Sequence, residues 1–419
     1  MSLSAAALSY DGQVKSSGDF AAALHGDYTV VDKPFYEAAG SVSLAFTGRI
    51  TVNTELRNSK NLSFTGSEIA NNASVHAEGN LTVHATGGDL TNKGTLYSGG
   101  HADIAASGNL YNEGATIDTG SLRLDVGGSV YSSTAIHSTT VESTHTLHNG
   151  EPPPVNIYEY SGVDIDTVEP ANRAPDPHRT TTVVTDASTS QSTGSVASIT
   201  ARNGDITLTV GQDLHIQGAK LHASGTLQGL VGGDIDATSL RLRQSSQHVE
   251  TTTRDADEWA RSQGRPVAVD LYSWENPALR PVHNTSSSEQ TQAADIQAGA
   301  GLTLYAAGNA NYQGSTIHSG ADLTLLAGSN LTLGADRLTT THQQTGTHEQ
   351  TQTHNGGHTT AQGPILLAAG DTITLHSAHI ETGKAEATST TTPPPTPPAP
   401  APPPPSPCWP ARSTRPCPP

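Results

Sequence analysis

Residues 88–100 read GDLTNKGTLYSGG, residues 108–120 read GNLYNEGATIDTG twenty positions later, and a third start, GGSV, stands at 127–130. Leu90, Leu110 and Val130 therefore recur at one interval, each just after a Gly-Asp, Gly-Asn or Gly-Ser pair. That interval is too long for one strand and too short for a helix-turn-helix pair. The segments are rich in Thr, Val, Leu and Ile and are punctuated by Gly-Asn and Gly-Asp turns, which specifies short strands. A repeat of this length built from short strands is one coil of a parallel β-helix. The expected fold class is all-β, a right-handed parallel β-helix with about 20–21 residues per coil.

Outward from this stretch the period persists. Ile69, followed by Ala70, Asn71 and Asn72, stands 21 residues before Leu90, and alternating apolar pairs such as Val42 with Leu44 and Leu62 with Phe64 extend a blurred version of it back to about Asp19. Downstream it returns in phase. From Ile206 the inward positions are Leu214, Leu221, Leu227 and Ile235, at steps of 8, 7, 6 and 8; from Leu302 they are Ala310, Ile317, Leu323 and Leu331, at the same steps. Ile365, Ile373 and Ile380 repeat the first two steps. Three steps summing to 21 imply three strand-like faces per coil. On the order of ten coils, at about 4.8 Å each, make a rod of roughly 50 Å.

Between these blocks the pattern dissolves. Residues 132–194 are rich in Ser, Thr, His and Pro with little apolar periodicity, and are expected to form an irregular, partly disordered excursion. Residues 244–292 and 339–363 are two further excursions, leaving β-helix at 1–131, 195–243, 293–338 and, as an end coil, 364–386. From 387 to 419 a Pro-dominated tail is expected to be extended and mobile.

Composition narrows the function. Only 34% of the 419 residues are apolar and 4% aromatic, thin for an ordinary globule but sufficient for a solenoid whose coils each bury a few aliphatic side chains. A net charge of −18 disfavours nucleic acid as a partner. The two cysteines, Cys408 and Cys417, both lie in the tail, so neither a disulfide nor a Cys-based metal site can involve the coils. No apolar run reaches the length of a membrane span. Residues 1–8 lack the basic start and apolar middle of a signal peptide, so export information is expected elsewhere.

Candidate functional residues follow from position in the repeat. Asn71, Asn92 and Asn112 fall at matching places in successive coils, where stacked amides can hydrogen-bond along the axis; Asn is also simply a good turn residue, and the two readings are compatible. Asp89, Asp205, Asp213 and Asp234 each precede an inward apolar residue in a Gly-containing turn, a structural position repeated from coil to coil. No carboxylate pair breaks the repeat to form an acid and base on one face, so no catalytic residue is assigned. His342, His348, His354 and His358 have no zinc-site spacing, and no metal or cofactor is assigned. Trp259, Tyr272 and Trp274 concentrate aromatic weight in the second excursion, which suits contact with a sugar or protein and equally suits packing of the loop on the rod.

The motifs LTNKGTL and LYNEGATI, at 90–96 and 110–117, resemble the first type of repeat in filamentous haemagglutinin, and residues 203–227 and 320–335 resemble its second type, which alternates with Ser- and Thr-rich spacers. That order is similar to two-partner-secretion exoproteins, including the stalks that carry contact-dependent inhibition toxins. The resemblance implies secretion to the bacterial surface through a dedicated outer-membrane transporter, a β-helical filament, and adhesion to a host or bacterial receptor or presentation of a toxin, without catalysis. The family's secretion domain and a toxin domain have no counterpart here, so the chain is expected to be a middle segment of such a stalk. A β-helical polysaccharide lyase or hydrolase and an inert remnant of a broken gene are the alternatives.

Overall fold

A computed structural model describes residues 1–6, 13–30, 34–149, 179–255, 281–344 and 346–383, with the single positions 258 and 262. Three parallel sheets run side by side: one of 12 strands from Ser2–Ala5 to Ile365–Ala369, a second of 11 from Tyr28–Val30 to Thr372–His376, and a third of 10 from Leu56–Asn58 to His379–Thr382. Successive strands of the chain visit the three sheets in turn. Leu81–Ala85 lies in the first, Leu90–Asn92 in the second and Thr95–Ser98 in the third, after which His101–Ala106 returns to the first, beside Leu81–Ala85. This is a parallel β-helix, with one coil per repeat.

The register is that of the sequence repeat. Leu90 pairs with Leu110 and Leu110 with Val130, all fully buried, so the recurring apolar position is the inward one. The excursions do not disturb it: Ile117 pairs with Ile199, Leu221 with Ile296 and Leu227 with Leu302, although these partners lie up to 82 positions apart in the chain. The interior is one continuous cluster of Leu, Ile, Val and Ala. All four Phe of the chain, at 20, 35, 46 and 64, fill its first coils, where Phe20 stacks on Tyr36 and Tyr28 on Phe46. At the other end Ile373, expected inward, is 44% exposed, because its coil has a described neighbour on one side only.

The excursions differ from the expectation of irregular chain. Their described ends are six strands, here termed arms: Ile136–Asn149, Thr180–Thr193, Leu240–Arg254, Val282–Gln292, Asp336–Gln344 and Thr347–Asn355. They pair in that order into a single antiparallel sheet. Thr and Val have the stiff branched side chains that favour strands, but both faces of this lateral sheet are largely open, so no apolar alternation marks it. Most of residues 150–178 and 256–280, including Trp259, Tyr272 and Trp274, and the tail from 384 lie outside the described residues.

All three arm pairs leave the stack at the same corner, between a second-sheet and a third-sheet strand, and they do so on alternate coils. The spacing is commensurate. Two coils rise by about 9.6 Å, and one pair of antiparallel strands occupies the same height, so arms from alternate coils meet at hydrogen-bonding distance. On the intervening coils the corner is closed by Gly114, Gly218 and Gly314, each at a φ near +60°. A Cβ on Gly218 would stand 2.6 Å from that of Leu240, the first residue of the third arm. Gly218→Ala is therefore expected to cost about 1–3 kcal/mol through backbone strain and this clash, seen as a lower urea midpoint; an unchanged midpoint would show that the corner tolerates a side chain.

Candidate functional site

Asn71, Asn92 and Asn112 are fully buried and form a ladder just inside the corner between the second and third sheets. The amide of Asn71 donates to Oδ1 of Asn92 over 2.8 Å, that of Asn92 to Oδ1 of Asn112 over 2.8 Å, and that of Asn112 to Oγ of Ser132 over 3.3 Å. Each amide also reaches a third-sheet carbonyl of the next coil, Thr95, Thr116 and Ser198 in turn. Above Ser132 the same column holds Ile216, Ala237, Tyr312 and Leu333, so the polar ladder gives way to apolar packing where the second block begins. The Tyr312 hydroxyl, fully buried, finds no partner among the described residues.

The turn carboxylates tie coil to coil from outside. Oδ1 of Asp89 accepts the backbone N–H of Asn109, Asp213 that of Asp234, and Asp234 that of Asn309, at 2.6 to 2.8 Å. Asp205 plays this part at the next corner, accepting from Thr226 N–H, and that bond, followed by the Thr226 hydroxyl, holds its carboxyl below the usual carboxylate range. The Gly one coil above each of these carboxylates has a steric reason: a Cβ on Gly108, Gly225, Gly233 or Gly308 would fall on the carboxylate of Asp89, Asp205, Asp213 or Asp234. Each carboxylate is thereby engaged by backbone.

The lateral sheet is the largest surface that departs from the coil. Its central face is a shallow trough of about 430 Å³ across four arms, with Ser188, Ser246, Ser286 and His342 in one cross-strand row. Ser246 and Ser286 share a hydrogen bond of 2.7 Å, and Ser287 and Thr341 one of 2.6 Å. Glu289 fixes the base of the sheet by pairing with Arg241 and Arg243, while Arg241 and the Ser239 hydroxyl both meet the buried Asp336. Farther out His248 lies 2.7 Å from Asp186 on the neighbouring arm and 3.1 Å from Glu250 on its own; these two hydrogen bonds, the first the stronger, raise its pKa above the usual imidazole value. His342, His348 and His354 are spread over two arms and His358 lies on a coil strand; among the described residues no group of His, Cys, Asp or Glu is placed to hold a metal ion.

Two family models match this chain, one described as haemagglutinin repeat over residues 38–114 and one described as hemagglutinin repeat over 179–252 and 282–348. The chain belongs to the filamentous haemagglutinin-like proteins. No curated protein and no solved structure matches it. The first haemagglutinin model covers the coils that carry the Asn ladder. Each match of the second begins with an arm, runs through two coils and extends into or beyond the next arm, so the arms belong to the repeat and are not spacers between repeats.

Sequence reasoning missed the residues that secure these haemagglutinin repeats where the chain re-enters the stack. Arg202, just after the first re-entry strand, pairs with Asp118 at 2.6 Å, donates to the Ser98 carbonyl at 3.0 Å and lies 4.5 Å over the Tyr97 ring, clasping two earlier coils. Its signal, a lone Arg in a turn, is invisible without the third dimension.

Two outcomes follow. Asn92→Leu leaves the Asn71 amide and Asn112 carbonyl oxygen short of a buried partner and is expected to destabilise by about 2–4 kcal/mol, with hydrogen exchange faster in the coils on either side; exchange confined to wild-type rates would make the ladder dispensable. The stability contributed by protonated His248 is complete below about pH 6.5 and is lost as pH rises through the raised value. Exchange in arms Thr180–Thr193 and Leu240–Arg254 should accelerate between about pH 6 and 8 beyond its intrinsic increase, and His248→Gln should remove that excess.

Proposed function

We propose that this chain is a stalk segment of a secreted or surface-attached bacterial exoprotein, exported through the outer-membrane transporter of a two-partner system, and that it works by display. The coil stack supplies a rigid support and the lateral sheet supplies a contact face, for adhesion to a host or bacterial surface or for bringing a toxin to one. The observation that carries this reading is the six-armed sheet, anchored at a single corner on alternate coils. A spacer alone gains nothing from six long strands whose side chains are mostly open to water, whereas a contact surface needs an ordered polar face held off the core. The engagement of the turn carboxylates by backbone N–H groups also favours a structural part over hydrolytic chemistry.

The test is binding of the purified chain to host and sister bacterial cells, alongside a variant with residues 244–292 replaced by a short turn and a folded control, Ser246→Lys with Ser286→Lys, that changes only the face. Binding lost in both variants supports display by the lateral sheet. Binding retained by both would place the contact elsewhere, and a folded chain that binds neither cell type would make this segment a spacer.

A further inference from the structure

A second surface feature lies on the outer face of the second sheet, below the corner from which the first and third arms depart. Strand register places Tyr111, Tyr131, His215 and Asp236 in one column over four successive coils, and Glu113, Ser133, Gln217 and Thr238 in a parallel column two residues along. The first three form a ring ladder: Tyr111 and Tyr131 have centroids 5.2 Å apart at 6°, Tyr131 and His215 4.9 Å apart at 9°. Beside the rings, over the small side chains of Ser133 and Thr238, runs a trench of about 300 Å³.

The chemistry of this trench is one-sided. Its lining carries two carboxylates, Glu113 at one end and Asp236 at the other, and no Lys or Arg. Among the described residues Glu113 has no cationic neighbour within ion-pair distance; Asp236 accepts from the Asn311 amide at 2.9 Å and stands 3.9 Å from His215. Between the carboxylates lie phenol and hydroxyl oxygens and the Gln217 amide, most of them able to accept hydrogen bonds. The ring faces are largely used by one another, so a sugar seeking an open aromatic face to stack on finds only rims, while an ammonium group, which only donates, finds acceptors along the whole length. Three coil intervals separate the carboxylates, about 14 Å along the axis, too far for one cation to bridge.

We propose that this trench binds a linear polyamine, with its terminal ammonium groups on Glu113 and Asp236 and its chain lying along the rims of Tyr111, Tyr131 and His215. An extended tetraamine spans the two carboxylates; a short diamine does not. The site is independent of the lateral sheet face and of the display reading.

Calorimetric titration of the full chain with spermine tests the assignment, with putrescine, tetralysine and the neutral sugar cellotriose as comparisons. Saturable binding at one site is expected, weakened about fivefold by Glu113→Gln or Asp236→Asn and further by both, with putrescine markedly weaker. Because the chain is acidic overall, Glu142→Gln on the exposed first arm is the control and should change nothing. The proposal is overturned by unaltered spermine binding in the folded double variant, by an equal loss in the Glu142→Gln control, by tetralysine binding more tightly than spermine, or by displacement of spermine with cellotriose.

Discussion

The spacing of main-chain hydrogen bonds between neighbouring strands governs this molecule twice. Along the coils it sets the rise of the stack, and in the lateral sheet it sets the distance between arms. Because a strand pair is as tall as two coils, an excursion on every second coil meets its neighbours in register, and six arms separated by long stretches of chain close into one sheet. An excursion on every coil would bring twice as many strands to the same height and could not pair in a single layer. The alternation of open corners with corners closed by Gly114, Gly218 and Gly314 is the covalent expression of that constraint.

Stabilisation differs between the two blocks of coils. In the first, above the column positions held by Val30 and Val52, buried Asn71, Asn92 and Asn112 bond coil to coil, so one amide lost leaves two others short of a partner. In the second, Ile, Ala and Leu occupy the same column and hydrophobic burial carries the stack. Outside, a ladder of Asp and Asn side chains, with the Ser129 hydroxyl as one rung, continues at the turns through both blocks, from Asp89 to Asn330. Register is thus held from inside and outside at once, which accounts for the coils resuming in phase after each insertion.

Function, on this view, sits on the surfaces that the stack does not need for itself. The lateral sheet is attached at one corner by Glu289, Asp336 and their arginines and presents Ser, Thr, Gln and His to solvent. The ring ladder of Tyr111, Tyr131 and His215 uses the coil spacing to bring aromatic groups from three coils into contact. Both are repetitive surfaces: the ladder exists because a residue type placed once per coil becomes a column, and the lateral sheet because excursions on alternate coils leave from one corner.

The parallel β-helix was legible in the sequence because burial in a solenoid is periodic: Leu90, Leu110 and Val130 face inward for the same reason, and a steric rule ties Gly to the carboxylate one coil below. Asn71, Asn92 and Asn112 could be placed in one column by counting alone. The arms could not be read this way, since a strand with both faces open leaves no apolar alternation and its partners lie up to 74 residues away. The Arg202 clasp, the contacts of His248 with Asp186 and Glu250, and the placing of Glu113 and Asp236 at the two ends of a trench likewise depend on which coil lies beside which after each insertion. Sequence by itself determined the repeat and its inward face, because hydrophobic burial is local to each coil; only the tertiary structure decided the surfaces, because these are made of residues that the stacking, and not the chain, brings together.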